Sequence, residues 1–153
     1  MKKIRFGIIG VGNQGSSYIY AIFDKNKVEN GVVNAVCDIN KFKLDSVKQN
    51  TTNKDIVYFT DYKEMFACER LDAVHLCLPH YLHVPVSIDA FKAGINVLSE
   101  KPMGIRYEDA LHAVDTAEQC GVKYGVIFQC RYNTPSMLVK KRVCDGSLGA
   151  VKC

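Results

Sequence analysis

The turn Gly10-Val11-Gly12-Asn13-Gln14-Gly15 has the spacing a backbone needs to cradle a diphosphate. The first glycine permits a tight turn and the second lets the chain approach the pyrophosphate. The third lets a helix pack on the preceding strand, with the phosphates at that helix's N-terminus. The turn follows the apolar run Ile4 to Ile9 and opens a helix predicted over Ser16 to Asp24, and an acidic residue, Asp38, ends the next apolar run. A carboxylate there accepts a hydrogen bond from a ribose. Strand, turn, helix and downstream acid stand in the order a dinucleotide site requires, which a chance cluster of turn glycines does not supply. Two further segments bring titratable groups to the ends of apolar runs: Leu78-Pro79-His80-Tyr81-Leu82-His83 and Glu100-Lys101-Pro102-Met103-Gly104.

Alternating elements must position these groups. Strands are predicted at Ile4 to Ile9, Val32 to Cys37, Asp55 to Phe59, Ala73 to Leu78, Ile95 to Ser99 and Val122 to Phe128, with helix-like runs between them. Several are apolar almost throughout, as strands covered on both faces are. The alternation predicts an α/β fold, a doubly wound parallel sheet of Rossmann type with strand order 3-2-1-4-5-6. On the first helix Gly15, Ile19, Ile22 and Phe23 share a face. On the fourth Val84, Ile88 and Phe91 do so, with Gly94 placed to end it. Asp61 with Glu64 reads as a capping box, and Gly121 ends the helix that holds Leu111 and Val114. Ligands of such sheets lie at the C-terminal strand ends, beside the reversal of strand order. The glycine turn, Leu78, Pro79, His80, Glu100 and Lys101 are therefore expected to face one ligand.

At 153 residues the chain fits one ordinary domain, able to bury about two thirds of its unfolded surface. Its cysteines (Cys37, Cys68, Cys77, Cys120, Cys130, Cys144, Cys153) are odd in number and never paired as C-x-x-C. Neither a metal site nor a disulfide framework is expected, and reduced thiols in a cytoplasm are the simpler account. Met1-Lys2-Lys3 leads into a short strand broken by Arg5, and no later stretch approaches the ~20 apolar residues of a membrane span, so neither signal peptide nor span is expected. The formal charge of +4 is modest, and Lys140-Lys141-Arg142 comes without aromatic neighbours, so nucleic acid is not an expected partner. Thr134-Pro135 starts a helix running to about Asp145, with Gly146 as its stop, and Ala150 to Cys153 resembles a strand beginning. A sheet that closes at Phe128 has little use for that strand. Residues 1–133 are accordingly read as a dinucleotide-binding domain, and 134–153 as a connecting helix and the first residues of a second, substrate domain missing from the chain. A frayed terminus is the alternative.

Taken together, these segments resemble the glucose-fructose oxidoreductase, inositol dehydrogenase and rhizopine catabolism (Gfo/Idh/MocA) family over essentially the whole chain. The resemblance rests on Gly10-x-Gly12-x-x-Gly15, Asp38, Pro79 to His83, Glu100-Lys101-Pro102-Met103-Gly104, Gln129-Cys130-Arg131-Tyr132-Asn133-Thr134-Pro135 and Gly146-Ser147-Leu148-Gly149. The Glu-Lys-Pro element is the specific one. The resemblance implies an NAD(P)-dependent oxidoreductase that moves a hydride between a nicotinamide cofactor and a hydroxyl or carbonyl of a sugar, polyol or related cyclic alcohol. It implies that Lys101 is catalytic, close to the nicotinamide and the substrate hydroxyl, with Glu100 holding or tuning its amine. A partly desolvated ammonium polarises the oxygen whose proton is lost as hydride leaves. His83 matches the histidine of the family's Asn-x-x-His segment and is expected to act in the site. His80 replaces that asparagine, and either contacts the ligand or caps backbone groups. Gln129 and Arg131 fall where the family lines its pocket, and a cis Lys101–Pro102 peptide is expected. His75 and His112 are expected to be structural or solvated. The family's substrate domain, with its own catalytic aspartate and histidine, implies a homo-oligomer assembled through that domain.

Asp38 also bears on the cofactor. A carboxylate facing a 2′-phosphate costs roughly 4 kcal/mol at about 4 Å under an effective dielectric near 20, whereas it accepts a bond from a free 2′-hydroxyl. NAD is the expected cofactor, and Lys41, three residues on, leaves NADP open. A module that senses NAD(P) without chemistry needs only the glycine turn and Asp38; Lys101 separates that alternative from an enzyme.

Overall fold

Six strands pair side by side, all parallel: β1 (Ile4–Ile9), β2 (Gly31–Cys37), β3 (Val57–Phe59), β4 (Ala73–Leu76), β5 (Asn96–Ser99) and β6 (Tyr124–Val126). These come from a computed structural model that describes residues 3–68 and 71–152. Met1, Lys2, Glu69, Arg70, Cys153 and the side chain of Cys68 lie outside the described residues. The strand order is β3-β2-β1-β4-β5-β6, as the sequence predicts, so the reversal falls between β1 and β4. β4 and β6 are shorter than their apolar runs. The ladder nevertheless continues by single bonds, from the Cys77 N–H to the Ile9 carbonyl at 2.8 Å and from the Ile127 N–H to the Ser99 carbonyl at 2.9 Å. The strands thus hand over to the site loops with their last backbone groups still paired.

The first helix begins three residues earlier than its apolar periodicity suggests. Gly12 is the N-cap in an extended conformation and α1 spans Asn13–Tyr18, continuing as a π-helical segment, Ile19–Phe23. α2 (Lys41–Asn50) is capped by the Asn40 side chain, which accepts from the Phe42 N–H at 3.0 Å. α3 (Tyr62–Cys68) starts where the Asp61 carboxylate accepts from the Lys63 N–H at 2.8 Å. α4 (His83–Lys92) and α5 (Tyr107–Cys120) stop at the left-handed glycines Gly94 and Gly121, as expected. α6 (Thr134–Cys144) carries Pro135 in its first turn. Beyond it the predicted strand does not form: residues 150–152 are exposed and irregular.

Ile8 and Ile9 are consecutive in β1 yet belong to different buried clusters, because successive side chains of a strand point to opposite faces. On one face Ile19, Leu44 and Val47 pack beneath α1 and α2. On the other Met65, Val86, Ala90, Phe91, Ala113 and Ala117 pack beneath α3, α4 and α5. The face of α4 that goes inside is centred on His83, Val86, Ser87, Ala90 and Phe91, while Val84 and Ile88 are only partly covered. Burial of Phe91 alone contributes about 1.5–3 kcal/mol. α6 differs from all of these, since none of its residues is buried.

Candidate dinucleotide site

The three glycines of the turn are required for different reasons. At Gly10, where φ is +88°, an added Cβ would lie 2.4 Å from the Cys77 carbonyl oxygen, and at Gly15 it would lie 1.9 Å from the Gly10 oxygen. Both glycines are imposed by the turn's own packing. A Cβ at Gly12 would meet nothing closer than the Lys43 Nζ at 4.0 Å. Packing does not demand a glycine there, whereas close approach by a ligand does. The N–H groups of Asn13, Gln14 and Gly15 form the first turn of α1, where no intrahelical acceptor exists and the helix dipole favours an anion.

Asp38 follows β2 and is 8% exposed. Its Oδ2 accepts from the Val11 N–H and its Oδ1 from the Asn40 N–H, both at 2.8 Å. The carboxylate therefore clamps the glycine turn to the end of β2 as well as facing the site. Each oxygen retains a lone pair for a ribose hydroxyl. Beside it lies a cavity of about 480 Å³ lined by Gly10, Gly12, Asp38, Ile39, Lys43, Thr60, Tyr62, Leu78, Pro79 and Tyr81, among others. Ile39 is 92% exposed at its rim, an apolar surface suited to a base. Lys43 lines this cavity, its Nζ 4.0 Å from a Cβ built on Gly12, and Lys41 is not among the lining residues.

A second cavity, of about 360 Å³, is lined by Gln14, Cys77, Leu78, His80, Glu100, Lys101 and Gln129. Cys77 and Leu78 line both cavities, so the two meet at the end of β4. Glu100 is buried; it accepts from the Tyr18 hydroxyl at 2.6 Å and from the Lys101 backbone N–H at 3.3 Å. Glu100 thus holds the Lys101 backbone, and no ion pair joins it to the amine among the described residues. Burial, reinforced by the bond to Glu100, pushes Tyr18 up to about 12, so its hydroxyl remains a donor at neutral pH. His75 lies behind them, its ring centroid 4.2 Å from that of Tyr18 and its buried Nε2 without a hydrogen-bond partner among the described residues. Burial pushes His75 down to about 4 and the Cys77 thiol up to about 12, which leaves both uncharged at neutral pH.

Two expected site residues are not placed in the cavity. His83 is fully buried, with Nδ1 2.7 Å from the Pro102 carbonyl oxygen and Nε2 2.8 Å from that of Leu78, so both ring nitrogens face backbone. Arg131 is exposed, with its guanidinium carbon 5.4 Å from the Phe128 ring centre, and does not line the cavity that Gln129 lines. His80 lines it and is exposed. The Lys101–Pro102 peptide is cis. His112 is exposed, and His75 is buried within β4. Local signals in the sequence do not point to Tyr18 or Lys43; a tyrosine on a helix reads as core, and its acceptor lies 82 residues away. Among the described residues no helix is long and apolar enough to cross a membrane, and no cluster of three or more His, Cys, Asp or Glu side chains could hold a metal.

The oxidoreductase family with an NAD-binding Rossmann fold, Gfo/Idh/MocA, matches residues 4–128. Among curated proteins, a glycosyl hydrolase family 109 protein of Shewanella sp. is 28% identical over 97% of the chain, which spans 33% of that protein. An alpha-N-acetylgalactosaminidase of Shewanella oneidensis is 26% identical with the same coverage. Among solved structures, the WlbA dehydrogenase of Bordetella pertussis, in complex with NADH and UDP-GlcNAcA, superposes with a TM-score of 0.88 at 32% identity. The match covers 97% of this chain and 44% of that one. The myo-inositol 2-dehydrogenase of Lactobacillus plantarum gives 0.87 at 26% identity, covering 98% and 43%. The chain thus spans about a third of the length of its curated relatives and under half of the solved ones.

Proposed function

Because this chain belongs to the Gfo/Idh/MocA oxidoreductase family, we propose that it is the dinucleotide-binding part of a longer enzyme. That enzyme transfers a hydride between NAD and a hydroxyl or carbonyl of a sugar, polyol or related cyclic alcohol. The observation that carries the reading is Gly12, a glycine that packing does not need, beside a carboxylate anchored to hold a ribose. The amides at the start of α1 receive the diphosphate, Asp38 receives the adenosine ribose, and Ile39 covers the base. The nicotinamide end then falls in the cavity of Gln14, His80, Glu100, Lys101 and Gln129.

A bound nicotinamide supplies the hydride acceptor. As the carbinol C–H bond gives up its hydride the O–H bond gives up its proton, leaving a ketone, a reduced cofactor and a proton. Lys101, exposed at that cavity, donates to the reacting oxygen and stabilises the negative charge that develops on it. Glu100 and Tyr18 hold the Lys101 backbone from behind. In this reading residues 134–152 lead from the dinucleotide-binding domain toward a substrate domain.

Calorimetric titration of the chain with NADH and with NADPH tests the binding half, with NADH expected to bind more tightly. No heat from either at millimolar concentration overturns the reading, and tighter NADPH binding overturns the NAD assignment. In the complete protein, Lys101→Met should abolish turnover of a polyol or sugar while leaving NADH affinity unchanged; unchanged turnover would remove Lys101 from the chemistry, and NADH binding with no turnover of any polyol or sugar by the wild type would favour a sensing module. The relatives named as hydrolases favour a second reading of the same hydride step. A ketone on a sugar acidifies the neighbouring C–H, loss of that proton expels the glycosidic leaving group, water adds, and the hydride returns with no net redox change. Stoichiometric NADH release identifies a dehydrogenase, and leaving-group release without NADH identifies a hydrolase.

A further inference from the structure

We infer that His83 is a positioning residue: its imidazole ties the loop that carries Lys101 to the loop that follows β4, and so sets where the Lys101 amine stands. This rests on the role given to Lys101 above. The first residue of α4 is fully buried, and its two ring nitrogens lie 2.7 Å from the Pro102 oxygen and 2.8 Å from the Leu78 oxygen. Pro102 directly follows Lys101, and Leu78 lines both cavities. Both oxygens are carbonyls and can only accept, so each bond must be donated by the ring. A neutral imidazole donates from one nitrogen and a doubly protonated ring from both.

A second contact seats the same loop. A Cβ built on Gly104 would come within 3.1 Å of Val84 Cγ2, so the loop after Lys101 lies directly on the first turn of α4. The loop from Lys101 to Gly104 is therefore held at Pro102 by the histidine and at Gly104 by contact with the helix. With no ring surface open to the cavity, His83 acts on the reaction through Lys101 and not on the substrate. Part-buried carbonyls left without a donor favour a shifted loop.

The test uses the complete enzyme and four variants. His83→Leu removes the imidazole and every N–H it donates, His83→Gln keeps an amide donor, Phe91→Leu loosens the same helix away from both cavities, and Lys101→Met reports the role of the amine. Displacing a positioned group lowers kcat, so His83→Leu is expected to lose about tenfold or more in kcat with NADH affinity nearly unchanged, and His83→Gln to fall between it and the wild type. Phe91→Leu should lower Tm and leave kcat unchanged, which separates positioning from general destabilisation. Wild-type kcat in His83→Leu overturns the inference when Lys101→Met is inactive. Full activity in Lys101→Met instead overturns the role given to Lys101, on which the inference rests. Should His83→Leu fail to fold, His83→Gln decides by amide exchange at residues 101, 103 and 104: faster exchange with lowered kcat supports the tie, and unchanged exchange and kcat overturn it.

Discussion

The two cavities at the strand ends are built from different materials. The larger borders the glycine turn: Gly10 and Gly12 line it beside a carboxylate whose oxygens both accept backbone N–H groups. The smaller is shaped by side chains, with His80, Lys101 and Gln129 exposed around a buried Glu100. Beyond it residues 128–152 are exposed throughout, and α6 turns Met137, Leu138, Val139 and Val143 to solvent. Backbone groups are placed by the fold itself, so the glycine turn and the first N–H groups of α1 take their positions as the sheet forms. The side chains of the smaller cavity owe their placement to other side chains, as Glu100 and Tyr18 behind Lys101 show.

The sharpest way to break this contrast is within the glycine turn itself. Gly15→Ala puts a methyl group against the Gly10 oxygen and should cost about 3 kcal/mol or more, measured by urea unfolding. Gly12→Val should leave the unfolding midpoint nearly unchanged while weakening NADH by at least about tenfold, or 1.4 kcal/mol. If Gly12→Val unfolds the chain, the distinction between the two glycines is lost.

His75 carries the next largest effect, in the smaller cavity's support. Its folded value of about 4 lies below the ordinary 6.5, so between those values the unfolded chain binds a proton that the folded chain does not. Stability should therefore fall as pH drops from about 6.5 to about 4, by on the order of 3 kcal/mol. His75→Phe should remove that slope in urea melts at pH 7 and pH 4.5. A slope that survives the substitution assigns it to other groups.

Asp38→Asn sets an amide N–H against a backbone N–H and should cost about 2 kcal/mol together with NADH affinity, which thermal melts and titration read separately. Loss of affinity at unchanged stability would show that the carboxylate does not clamp the turn. Tyr18→Phe should cost about 1 kcal/mol with NADH affinity retained. Because Tyr18 is held at about 12, the unfolded chain loses its proton first above pH 10, so wild-type stability declines from there toward about 12. Tyr18→Phe should lack that decline.

Apolar periodicity, glycine spacing and the acid after the second strand determined the sheet, its order and the loops that meet at its reversal, because those signals act over a few residues each. The same local reading set the start of α1 late, since a glycine N-cap offers no side-chain signal, and did not find Lys43, which lines the larger cavity. Only the tertiary structure decided that His83 spends both nitrogens on backbone oxygens, that Arg131 lies over Phe128, and that Tyr18 reaches Glu100. The reach of Tyr18 to Glu100 and of His83 to Pro102 depends on which groups a side chain meets across the fold, and that of Arg131 on the local turn it sits in. Residue type and spacing state what a side chain can donate or accept, and packing alone states what it finds there.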